Sequence, residues 1–87
     1  MFKIQGAVIK EQGQTFAIAI VKMFVLDSHT ERENMANSLL PLFPRMPIVL
    51  MAQDSRGIPK YWGRKDIVKL LANIEISRIP WKEYTFS

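Results

Sequence analysis

The chain has 87 residues, 48% of them hydrophobic and 23% charged, with no cysteine and a formal net charge of +4. That length is one domain, spanning residues 1–87, and the composition is that of a folded globular chain. The lack of cysteine excludes disulfide scaffolds, thiolate metal centres and thiol catalysis, and it points to a reducing, cytoplasmic location, since small secreted domains lean on disulfides.

The N-terminus, Met1–Ile9, carries no basic stretch followed by an apolar segment and a small-residue cleavage site. The longest apolar run, Phe16–Leu26, is interrupted by Lys22 and is too short for the roughly 20 residues of a membrane span, so no membrane partner is expected. Charge is uneven. Residues 1–53 hold five Lys/Arg against four Asp/Glu, and residues 54–87 hold seven against four. A basic second half is what an anionic partner would select, although it also serves solubility.

In chain order, Phe2–Ile9 begins with alternating apolar and polar residues and reads as a strand with Gly6 inside it. Glu11-Gln-Gly-Gln14 is a turn whose glycine can take the positive φ of a hairpin loop. Thr15–Leu26 is apolar on both sides and reads as a central strand covered on both faces, with Lys22 snorkelling near one end. Ser28 followed by Glu31 fits a capping box opening a helix over His29–Leu40. Pro41, Pro44 and Pro47 end that helix and force an ordered connection in which Leu42, Phe43 and Met46 seek burial.

Ile48–Ala52 reads as a short buried strand, Asp54-Ser-Arg-Gly57 as a turn, and Ile58–Trp62 as a strand that Pro59 places at an edge. Ile67, Leu70, Leu71 and Ile74 follow helical spacing and predict a helix over Lys65–Ile74, opened by Asp66. Trp81–Phe86 is a last strand or an extended arm. The predicted fold is therefore an α+β two-layer sandwich of order ββαββα, with helices on one face of an antiparallel or mixed sheet and a C-terminal fifth strand or arm.

Residues 46–74 read Met-Pro, strand, Asp-Ser-Arg-Gly turn, strand, Gly, helix. That order resembles the C-terminal half of thioredoxin-like domains, and the resemblance implies a cis-proline at Pro47. The Cys-x-x-Cys pair and one strand–helix unit of those domains are missing, so no redox role carries over and the whole chain is assigned to no family.

No catalytic constellation emerges. His29 is the single histidine, without a cysteine or a second histidine to build a dyad or triad. The carboxylates are scattered, Glu31 and Glu33 stand two apart on the helix and do not face each other, and Gly57 and Gly63 are too isolated for a phosphate loop. No catalytic, cofactor-binding or metal-binding residue is assigned, and no cofactor is expected.

Two stretches stand out. Residues 56–65 hold Arg56, Lys60, Tyr61, Trp62, Arg64 and Lys65 within ten positions. With Lys69 they form a candidate site for a nucleic acid or small anion, in which a helix N-terminus helps to hold phosphate and one aromatic ring stacks a base. No nucleic-acid motif accompanies them. Tyr61 and Trp62 must point to opposite faces of their strand. In the tail, Ile79, Trp81, Tyr84 and Phe86 need an apolar neighbour, either their own domain or a partner. With Leu42 and Phe43 they are candidate interface residues. Three readings follow: a non-catalytic interaction or assembly module that pairs with itself as a homodimer or with another protein, a nucleic-acid or polyanion binder working through residues 56–69, and a small enzyme or anionic-metabolite binder.

Overall fold

Gln12 and Gly13 turn the chain back on itself. In the computed structural model, which describes residues 2–86 (Phe86 by its backbone alone), they take φ values of 48° and 79°. Positive φ at both positions is what a two-residue type I′ loop requires. The loop joins strand β1 (Phe2–Glu11) to strand β2 (Gln14–Ile20), antiparallel and in register from Glu11↔Gln14 to Gly6↔Ala19.

Strand β2 ends at Ile20, six residues short of the expected end. Val21 still donates its N–H to the carbonyl of Met51 (2.8 Å), but Met23–Asp27 is a five-residue helix, α1, that buries Val25 and Leu26. Continuous apolar sequence on either side of Lys22 contains no period by which strand and helix can be told apart, and the chain turns helical after that exposed lysine. The Ser28 hydroxyl then accepts the Glu31 N–H at 3.3 Å and caps α2 (His29–Leu39). Beyond α2, Leu42 and Phe43 both donate backbone N–H groups to the carbonyl of Leu39 (3.0 and 3.1 Å), folding the proline-rich connection under the helix and burying Phe43 completely.

Strand β3 (Ile48–Gln53) lies parallel to β2. The Asp54 carboxylate accepts N–H groups from Arg56 (2.9 Å) and Ile58 (3.0 Å), Gly57 takes φ 80°, and the chain returns antiparallel as β4 (Pro59–Trp62). Helix α3 covers Lys65–Leu71, so it stops three residues before the expected Ile74, and a 3₁₀ turn follows at Ile76–Arg78. The C-terminal segment is a strand, β5 (Lys82–Phe86), antiparallel to β1 from Gly6↔Lys82 to Phe2↔Phe86. No peptide bond among the described residues is cis, so the bond before Pro47 is trans, unlike the cis-proline of the domains that the segment resembles.

The fold is thus α+β with a mixed five-stranded sheet of order β4-β3-β2-β1-β5. Its layering departs from the one-faced arrangement. Ile4, Ala17, Ala19, Leu50 and Ala52 pack with Val25, Leu26, Leu39 and Phe43 on one side, while Ala7, Phe16, Ile18, Val49 and Met51 pack with Ile67, Leu71 and Ile79 on the other. Topology gives the reason. The β2–β3 crossover fills one face with α1 and α2. The chain must then pass from edge strand β4 to the opposite edge β5, four strand spacings or roughly 19 Å away, and α3 takes it over the free face. The Cα radius of gyration, 12.1 Å, matches the value of about 12 Å for a compact chain of this length.

Candidate functional site

The basic, aromatic segment is only partly assembled. Register pairs Met51 with Tyr61 and Leu50 with Trp62, which puts the two rings on opposite faces, each half-buried in its own core. Burial pushes the Tyr61 phenol above its ordinary pKa. Trp62 lies under the guanidinium of Arg32 at 5.5 Å, and Arg32 in turn donates to the α1 carbonyl of Leu26 at 2.6 Å. Arg32 therefore caps one helix, belongs to the next and stacks on a strand.

The cations separate as well. Arg64 is engaged with Asp66 through two hydrogen bonds, Nε to Oδ1 at 3.1 Å and Nη2 to Oδ2 at 2.6 Å. This pairing holds the Asp66 carboxyl below the usual carboxylate range and raises Arg64. Asp66 Oδ1 also accepts the N–H of Ile67 at 3.0 Å. The first turn of α3 thus already carries a carboxylate, and at seven residues the helix is too short to serve as an anion site. Lys60 is exposed on the α2 side of the sheet and Arg56 is exposed in the turn beyond. Tyr61, Lys65 and Lys69 do come together, with Trp62, Gly63 and Val68, around a shallow groove of ≈ 310 Å³.

The candidate interface residues lie mostly inside their own domain. Phe43 and Ile79 belong to the two cores at 0% and 4% exposure, which corrects their reading as surface anchors. Leu42 is half-buried against the α1–α2 core. Trp81 is half-buried and donates Nε1–H to the carbonyl of Ile76 at 3.0 Å. Tyr84 meets Phe43 edge-to-face at 4.9 Å, with the Lys82 ammonium 5.2 Å from its ring. The side chain of Phe86 lies outside the described residues. The apolar tail is satisfied by the parent sheet because Gly6, opposite it, leaves room: a Cβ there would sit 2.9 Å from the Ile18 carbonyl oxygen and 3.5 Å from both Phe43 and Tyr84.

Large apolar residues are exposed elsewhere, at Phe2, Val8, Leu40, Ile58 and Phe24, the last within the segment expected as a buried strand. Phe24, on α1, is 60% exposed. It lines a groove of ≈ 420 Å³ together with Phe2, Ile4, Val21, Val25 and Met35, and the exposed Lys3 and Lys22 also border it. The signal available in the sequence was the run of four consecutive apolar residues itself: a five-residue helix cannot bury Met23, Phe24, Val25 and Leu26 together. Among the described residues no group of three or more His, Cys, Asp or Glu could hold a metal ion, and no helix is long and apolar enough to cross a membrane. Compared with known protein families, with curated proteins and with solved structures, the chain shows no match.

Proposed function

We propose that this chain is a non-catalytic assembly module that pairs with a second copy of itself through Phe24 and the groove it lines. The observation that carries this reading is the 60% exposure of Phe24 on the wall of an apolar groove of ≈ 420 Å³. Phe24 is itself part of the groove's wall, so the exposed ring and the apolar hollow form one continuous surface that a second copy can cover. A two-fold interface sets one such surface against its own copy, because each contact from one protomer is repeated by the other. Removing a phenylalanine side chain from water contributes about 1.5–3 kcal/mol, and the symmetry doubles it. Lys22 at the border can keep its ammonium in water while its stem covers apolar surface.

The test is the mass of the chain in solution. Light scattering or sedimentation should find twice 10.1 kDa for the parent chain and a monomer for Phe24→Glu, with the folded circular-dichroism spectrum retained. A parent chain that stays monomeric up to about 1 mM, where even contacts of about 4 kcal/mol become populated, overturns the reading.

A second reading, binding of a nucleic acid or another polyanion, draws on the groove that Lys65 and Lys69 border together with Tyr61. It has less support, since Arg64 is held by Asp66 and Lys60 projects from the other side of the sheet.

A further inference from the structure

On the α3 face, opposite the Phe24 groove, a cavity of ≈ 380 Å³ lies between the closed end of the β1–β2 hairpin and the corner where α3 gives way to the 3₁₀ turn. We propose that it binds a small zwitterion with an aliphatic body, the chemistry of a free apolar amino acid. Ile9, Leu70, Ile74 and Ile79 provide apolar walls. The volume falls in the range of small-molecule sites, and Glu11, Gln12, Asn73 and Arg78 share the lining with the four apolar residues.

Two of those polar groups are charges of opposite sign. Glu11, half-buried at the end of β1, and Arg78, exposed on the 3₁₀ turn, both border the cavity. Among the described residues the ion pairs join Lys3 to Glu83 and Arg64 to Asp66, so Glu11 and Arg78 stay more than 4 Å from each other and from any other counter-charge. A guanidinium and a carboxylate that border one cavity without pairing match a ligand that brings a carboxylate to the first and an ammonium to the second. The guanidinium fork adds two-pronged recognition of the carboxylate. Gln12 also borders the cavity, at φ 48°, a conformation that few side chains other than Asn, Asp or Gly adopt in such turns. Asn73 adds a second amide to the rim.

The experiment is an amide-resolved NMR titration of the full chain with L-leucine, and in parallel with 3-methylbutylamine, which lacks the carboxylate, and 4-methylpentanoate, which lacks the ammonium. The expected result is saturable shifts confined to residues 9–12 and 70–79, with leucine in the millimolar range and each analogue weaker by about tenfold or more. Arg78→Gln should erase the preference of leucine over the amine, and Glu11→Gln its preference over the carboxylate. Both side chains stand at the rim, and the analogue series decides without any variant. Equal affinity for all three compounds would identify a merely apolar hollow and overturn the proposal, as would the lack of saturation at about 20 mM leucine.

Discussion

The two faces of the sheet are covered by different means and leave different things over. On the α1–α2 face, Phe43 sits at 0% exposure against Gly6 and Tyr84, yet Phe24 on the short helix α1 remains 60% exposed. On the α3 face, Phe16, Ile18, Val49, Met51, Ile67 and Leu71 close over one another, each at most 1% exposed, and the surplus is mixed: Glu11 and Arg78, outside any ion pair, border one cavity, and the exposed Ile58 borders another. A small chain buries only about 60% of the surface its unfolded form exposes, so some surplus is expected on each face. Its chemical kind decides what each part of it can attract. An apolar surplus favours another protein surface, whereas separated opposite charges around a cavity favour a small polar ligand.

The largest expected effect comes from exchanging the roles of two phenylalanines on the first face. Phe43→Ala should cost about 3–5 kcal/mol in urea unfolding, the usual range for a fully buried ring, and that is a large share of the 5–15 kcal/mol that hold a small domain together. Phe24→Ala, measured at a concentration where the chain is monomeric, should change stability by no more than about 0.5 kcal/mol, as at other exposed positions. Comparable losses for the two would show that Phe24 is core, and the contrast between the faces would collapse.

The two glycines packed against the sheet sharpen the comparison with a smaller effect. At Gly6 a methyl group would lie 2.9 Å from the Ile18 carbonyl oxygen, a backbone atom that cannot rotate away. At Gly63 the nearest obstacle, also at 2.9 Å, is the Cγ2 of Val49, a side-chain tip, with the Ile48 oxygen and Val49 Cα behind it at 3.3 Å. Overpacking costs about 1–3 kcal/mol. Gly6→Ala should fall at the upper end of that range and Gly63→Ala at the lower, as read from denaturation midpoints. The reverse order would mean that β3 and β4 are held more rigidly than β1 and β2.

Much of this architecture was legible in the sequence, and the parts that were not share a cause. The hairpin at Gln12-Gly13, the Ser28 cap, the Asp54–Gly57 turn and the edge position of β4 all rest on residues whose backbone or side-chain chemistry acts locally. The segment 21–27 was misread because Phe16–Leu26 offers no period, and the helix content of Met23–Asp27 depends on where β2 loses its partner. The side on which α3 packs is a property of the path from one sheet edge to the other, which no local pattern records. A clue existed nonetheless: β2 and β3 are apolar on both sides at Phe16–Ile20 and Val49–Ala52, and a single layer of helices could not have covered both. The basic segment was seen as a cluster because sequence distance hides the strand's alternation, which sends Lys60 and Tyr61 to different faces, and the pairing of Arg64 with Asp66.

That pairing gives the smallest prediction, and it bears on whether the beginning of α3 is open to anions. Hydrogen bonds from Arg64 hold the Asp66 carboxyl below its ordinary pKa in the folded chain. A carboxyl depressed by folding adds stability above its unfolded value of about 4, and that contribution disappears as pH falls through the lower folded value. Both side chains are exposed, so water and salt screen the pair and its effect on the unfolding midpoint should be slight. Direct titration of the Asp66 carboxyl carbon by NMR is the sharper measurement. It should give a value below that of an ordinary aspartate, moving back up in Arg64→Gln. An Asp66 that titrates normally in the parent chain would mean the guanidinium is free, and Arg64 would then rejoin Lys65 and Lys69 as a cation available to a polyanion, shifting weight from the self-assembly reading toward the second one.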